Sequence, residues 1–129
     1  MPAPVASSSI RALVVDDQED IRFLITTVIR TYNQGLTVGC EAEGGAQALD
    51  RLDACNPDVV VLDQMMPGMT GIETAQRIRA RRPALPMVLC SAYLDDDLRA
   101  SAAEVGFGKC VSKTDVTRLP DAILAVLGR

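Results

Sequence analysis

An α/β domain with a parallel sheet covered on both faces is predicted by three features of these 129 residues. Short Val/Leu-rich runs alternate with stretches of helical periodicity, the runs end in polar residues, and turn-forming residues separate them. Buried parallel strands read as near-continuous apolar runs because helices cover both sides.

Order begins near Ile10, after a Pro/Ala/Ser-rich segment, residues 1–9, expected to be a disordered tail. "IRALVV" reads as the first strand and ends at Asp16-Asp17. Ile21, Leu24, Ile25, Val28 and Ile29 then follow at helical spacing. "LTVGCE" is the second strand, and residues 44–55 form a helix built on Ala46, Leu49 and Leu52. "VVVL" is the third strand, followed by Asp63, a Pro/Gly-rich loop and a helix over residues 71–82 with Ile72, Ala75 and Ile78 inward. "PMVLCS" supplies the fourth strand, and residues 95–105 a helix whose leading aspartates suit the positive end of its dipole. "KCVS" is a short fifth strand, and the last helix runs to about residue 127 with Pro120 in its first turn.

Composition narrows the function. One core fits this length, so residues 10–129 form one domain. With 13 basic against 17 acidic residues, net −4, the chain lacks the charge for direct nucleic-acid binding. No apolar stretch approaches a membrane span and the N-terminus lacks a signal-peptide pattern, so a cytoplasmic location is expected. Cys40, Cys55, Cys90 and Cys110 show no CxxC pairing and are expected to be reduced core thiols, two of them inside apolar runs that look like strands. Histidine is absent, which excludes Ser-His-Asp and Cys-His nucleophile pairs and HExxH zinc sites.

In parallel α/β sheets, functional residues gather beyond the carboxyl ends of the strands. Asp16 and Asp17 end the first strand, Asp63 the third and Ser91 the fourth, while Lys113 follows the fifth. Carboxylates 4 Å apart repel by about 4 kcal/mol per pair at an effective dielectric near 20. A lysine and a divalent cation relieve that repulsion, and carboxylate, carbonyl and water oxygens suit Mg²⁺. The four arginines of "RIRARR" are read as a solvated face favoured at a helix C-terminus, and Met65, Met66 and Met69 as loop packing.

Asp16-Asp17, Asp63 followed by Met66-Pro67 and Gly71, Ser91-Ala92, and Lys113 together resemble the receiver domain of two-component response regulators, including the chemotaxis regulator. The resemblance spans about residues 10–127 and implies a flavodoxin-like sheet of order 2-1-3-4-5 with five helices. It implies that Asp63 accepts a phosphoryl group from a phosphohistidine, so the donor histidine belongs to a sensor histidine kinase or a histidine phosphotransfer protein. Asp17 would bind Mg²⁺ directly, Asp16 through water, and Asp63 and the Met65 carbonyl would complete the protein ligands. Lys113 would pair with the phosphoryl group and Ser91 would hydrogen-bond to it. The output implied is a changed surface that engages a downstream target protein, with homodimerisation on phosphorylation left open and no turnover of an external substrate.

Two positions depart from the family. Cys110 stands where receivers commonly carry an aromatic on the fifth strand, and Thr114 where many carry proline. An aromatic rotamer switch is therefore excluded at residue 110, and Tyr93 is the residue that could take a related part. A haloacid-dehalogenase-type phosphatase needs an acid two residues after its nucleophile, where this chain has Met65. A nucleotide-binding module would need GxxxxGK or GxGxxG after a strand, which is missing. A degenerate receiver acting only by binding is opposed by the intact polar set. A single-domain regulator is favoured, and the alternative is the receiver half of a LuxR-type transcription regulator, which "GLTVGCEAEGG" and "SKTD" resemble.

Overall fold

Alternating apolar runs become five parallel strands in a computed structural model that describes residues 9–32 and 35–129. The chain runs β1 (Ile10–Val15), α1 (Glu19–Tyr32), β2 (Leu36–Ala42), α2 (Gly45–Cys55), β3 (Val59–Leu62), α3 (Gly71–Arg81), β4 (Met87–Ser91), α4 (Asp96–Val105), β5 (Lys109–Ser112) and α5 (Leu119–Val126). A 3-10 segment, Lys113–Arg118, kinked at Asp115, links β5 to α5. Strand order is β2-β1-β3-β4-β5, as the family resemblance implies. The expected tail lies outside the described residues apart from Ser9.

Alternation along each strand divides the core between two faces. Leu13 and Val15 of β1, Val60 and Leu62 of β3 and Leu89 of β4 join Leu52, Ala75, Ile78 and Ala102 from α2, α3 and α4. Ala12 and Val14, Val59 and Val61, and Val88 and Cys90 face Ile25 and Ile29 of α1 with Leu119 and Ile123 of α5. Every residue of β3 is buried because helices cover both of its sides, which explains its unbroken apolar run. Burying one such side chain contributes about 1.5–3 kcal/mol.

Local chemistry sets the helix ends. Thr70 and Glu73 form a capping box at α3: Thr70 Oγ1 accepts from Glu73 N at 3.1 Å and Glu73 Oε1 accepts from Thr70 N at 2.9 Å. Asp95 caps α4 by accepting from Leu98 N at 2.8 Å, and Gly106 closes that helix at φ 106°. Pro120 lies in the first turn of α5.

Two expectations are corrected. Cys40 and Cys55 are joined by a disulfide, while Cys90 and Cys110 are free. Both bonded residues face the α2–α3 side of the sheet, where α2 packs back on β2 and sets their Cα atoms 6.2 Å apart, within the span a disulfide bridges. The arginine run is also not merely solvated. Arg79 donates to the carbonyls of Pro83, Leu85 and Gly106, Arg81 to that of Leu49, and Arg82 to Asn56 and Asp53, so three of the four tie α3 to its neighbours.

Candidate functional site

Parallel pairing brings the ends of β1 and β3 side by side, with Val15 opposite Leu62, so Asp16 and Asp63 emerge together at the carboxyl edge of the sheet. Asp63 N donates to Val15 O at 3.0 Å and Asp16 N to Ala42 O at 3.1 Å, which fixes both backbones just beyond the strands. Asp16 is 1% exposed and Asp63 3%, whereas Asp17 faces solvent. One carboxylate oxygen from each of the three lies within 4.8 Å of the others.

Lys113, the first residue after β5, spans the buried pair. Its Nζ donates to Asp63 Oδ2 at 3.0 Å and lies 2.8 Å from Asp16 Oδ2 as an ion pair. Asp63 Oδ1 accepts from Met65 N at 3.3 Å, and Asp16 Oδ1 accepts from Gln18 N at 2.9 Å. Burial pushes the Asp63 carboxyl above its ordinary range; Lys113 opposes that rise and the charge of Asp16 adds to it. For Lys113, burial alone would lower the ammonium, but Asp16 and Asp63 outweigh it and hold it above its ordinary value. At the end of β4, the fully buried Ser91 Oγ has no hydrogen-bond partner among the described residues. A buried hydroxyl left unmatched costs about 1–3 kcal/mol.

The loop after β3 is held tightly. Gly71 N donates to Gln64 O at 3.1 Å, and Ile72 N to Gln64 Oε1 at 2.9 Å. A Cβ at Gly71 would collide with the Asp63 carbonyl oxygen, so glycine is needed for close approach rather than for unusual dihedrals. Met65 is 68% exposed at the mouth and Met66 is buried. Tyr93 is 81% exposed on the loop after β4. Cys110, opposite Leu89 on β5, is half-buried, and burial raises its thiol.

One residue escaped the sequence reading. Arg22, only 8% exposed, donates from Nη1 to Asp16 O at 2.7 Å and from Nε to Glu41 Oε1 at 3.1 Å. It thereby clamps the peptide joining Asp16 to Asp17, with Glu41 holding the guanidinium in place. The signal was present, because Arg22 stands in register with Ile25 and Ile29 on the inward stripe of α1.

Carboxylates, a bridging lysine and a buried hydroxyl now occupy one strand edge. The response regulator receiver domain model matches residues 12–124. The chain belongs to that family. This receiver is 32% identical over 97 residues to the chemotaxis protein CheY of Listeria monocytogenes, covering 75% of this chain and 80% of that one. It is 39% identical over 106 residues to the protein-glutamate methylesterase/protein-glutamine glutaminase of Bacillus licheniformis, covering 81% of the receiver but 29% of that protein. In structure it matches a LuxR-family two-component response regulator from Aurantimonas with a TM-score of 0.84 at 29% identity, covering 95% of this chain and 88% of that one.

The donor set fits a hard divalent cation: three carboxylate oxygens converge, one from a solvent-facing side chain that leaves the mouth open to water. Among the described residues, no helix is long and apolar enough to cross a membrane.

Proposed function

We propose that this receiver accepts a phosphoryl group onto Asp63 from the phosphohistidine of a sensor histidine kinase or histidine phosphotransfer protein, in a Mg²⁺-dependent reaction in the cytoplasm. The supporting observation is the buried Asp16–Lys113–Asp63 bridge with Asp17 beside it. A carboxylate oxygen of Asp63 forms the bond to phosphorus as the phosphorus–nitrogen bond of the donor breaks, its electron pair leaving on the imidazole. Asp16, Asp17, Asp63 and the Met65 carbonyl would hold Mg²⁺, which when bound supplies positive charge to the phosphoryl oxygens. Lys113 favours the ionised form of Asp63 against the effect of burial and then offers its ammonium to a phosphoryl oxygen. Ser91 Oγ, without a hydrogen-bond partner among the described residues, donates to another.

The phosphoryl group adds about −1.5 to −2 charge in this small space. Drawing Ser91 toward it moves the loop carrying Ala92 and Tyr93, and the altered surface engages a downstream target protein. Labelling with a radioactive acyl phosphate and Mg²⁺ tests the reading. One hydroxylamine-sensitive site is expected in wild type and none in Asp63→Asn; persistent label at an unchanged rate in the variant refutes it.

The likeness to CheY favours a single-domain regulator that acts by protein contact. A second reading, the receiver half of a LuxR-type transcription regulator, draws support from the Aurantimonas match. Sequencing the intact reading frame separates the two.

A further inference from the structure

We infer that Cys40 and Cys55 form a reversible redox-modification site, a dithiol that closes on oxidation by low-molecular-weight disulfides and staples α2 to the edge strand β2. The inference rests on the cytoplasmic placement proposed above. In that compartment a mesophilic protein's disulfide is usually transient, catalytic or redox-sensing, whereas a permanent structural bond belongs to oxidising surroundings.

Position favours exchange at this pair over the other cysteines. β2 is an outer strand of the sheet, and Cys40 on it is half-buried between exposed Gly39 and Glu41, so one sulfur can be reached without unfolding the core. Cys55 is buried in the last turn of α2, where the helix dipole opposes a thiolate, so Cys40 is the first to react. Cys90 is fully covered, with its thiol pushed up to about 12 by burial, and Cys110 is also raised. Neither supplies thiolate readily near neutral pH.

The chemistry is two exchanges. The Cys40 thiolate attacks one sulfur of the external disulfide, forming a mixed disulfide and expelling one thiolate. The Cys55 thiolate then attacks the Cys40 sulfur, closing the protein bond and releasing the second external thiol. One external disulfide is reduced to two thiols as two protein thiols are oxidised, and excess external thiol reverses both steps.

The staple lies beside the acidic loop without belonging to it. Glu41, next to Cys40, holds Arg22, and Arg51 of α2 donates to the Glu41 carbonyl. Oxidation therefore fixes the packing of α2 on the strand that supports Asp16 through Ala42 O.

Trypsin reads the bond directly, because Arg51 separates the two cysteines and peptides 31–51 and 52–77 each contain one. The folded full chain is equilibrated with oxidised and reduced glutathione at graded ratios, quenched in acid, alkylated and digested. The expected result is a linked 31–51/52–77 peptide that accumulates with oxidised glutathione and vanishes with excess reduced glutathione. Closing a loop with this sequence separation of 15 should raise the thermal midpoint by about 10 °C, and Cys55→Ser should stop at a mixed disulfide on Cys40. Both peptides alkylated at every ratio, a bond that excess thiol cannot open in the folded chain, or equal midpoints for the two forms would each overturn the inference. None of these outcomes bears on labelling of Asp63, so failure here is distinguishable from failure of the phosphoacceptor reading.

Discussion

Replacing Asp63 by Asn should stabilise the metal-free receiver at neutral pH. At a separation of at most 4.8 Å and an effective dielectric near 20, Asp16 and Asp63 repel by about 3.5 kcal/mol, while Lys113 at 3.0 Å from Asp63 returns about 5.5. The exposed charge of Asp17 adds a smaller, screened repulsion. Burying an ion costs several kcal/mol more, and that cost decides the balance, since burial leads the causes that raise the Asp63 carboxyl. Asn keeps an oxygen for Lys113 and sheds the charge, so a gain of about 1 kcal/mol, or about 3–6 °C, is expected. The sign with pH follows from linkage. A carboxyl raised on folding binds its proton more tightly in the native state, so its stabilising contribution is present in acid and is lost as pH rises through the native pKa. Thermal melts in EDTA should therefore show the variant above wild type at pH 7.5 and the gap closing below the carboxylate range. Adding Mg²⁺ to 100 times its dissociation constant should raise wild type by about 2.7 kcal/mol and the variant by less. A variant that melts below wild type at pH 7.5 without metal, or a gap unchanged by acid, would refute the electrostatic account.

Lys113→Met leaves Asp16 and Asp63 uncompensated and should cost about 3–5 kcal/mol in urea titrations in EDTA, with Asp63→Asn added to it restoring a large part; additive losses in the double variant would contradict the bridge. Arg22→Met should weaken Mg²⁺ binding by calorimetry about 10–100-fold, while Glu41→Gln, which keeps the bond to the Asp16 carbonyl, should cost much less; equal effects would mean the clamp is only structural. Gly71→Ala should destabilise by about 2 kcal/mol or more in denaturant because its methyl meets the Asp63 carbonyl, and an unaffected midpoint would show that the loop relaxes freely.

The fold was legible because the central strands β1, β3 and β4 are apolar runs and the helices are periodic, although Leu24 and Ala46 of the expected stripes are exposed and β2 and β5 are mixed. β3 reads as a strand buried on both sides from "VVVL" alone, and α3 begins at Gly71 as expected, where the structure adds a Thr70–Glu73 capping box. The polar strand ends were legible for the same reason: parallel topology sends all carboxyl ends to one edge, so Asp16, Asp63 and Ser91 need no further information to converge. What escaped depends on partners distant in sequence. Cys40 and Cys55 carry no spacing signal, since a strand and a helix meet there only after the crossover closes. The arginines of α3 resembled a solvated face because the carbonyls they bind belong to α2, the loop before β4 and the end of α4. Arg22 is charged, and it looks like a solvated residue until its partners, the Asp16 carbonyl and Glu41, stand beside the inward stripe of α1.

The departure at residue 110 changes where a response can travel. An aromatic there could move inward behind Ser91, but the Cys110 sulfur is small and packs with the α2–α4 side of the core beside Leu89. Tyr93 is out in solvent and leaves that space to others. Under the proposed chemistry, movement of Ser91 would pass along the chain itself, through Ala92, Tyr93 and Leu94 to Asp95, the N-cap of α4. Among the residues of α4 only Ala102 is fully buried, so this helix gives up little apolar contact when it shifts. Its far end is anchored by Arg79, which donates to Gly106 O at 3.0 Å. A helix fixed at its C-terminus and tethered at its N-cap to the loop from Ser91 is built to pivot, so under the proposed chemistry α4 carries the output without an aromatic switch.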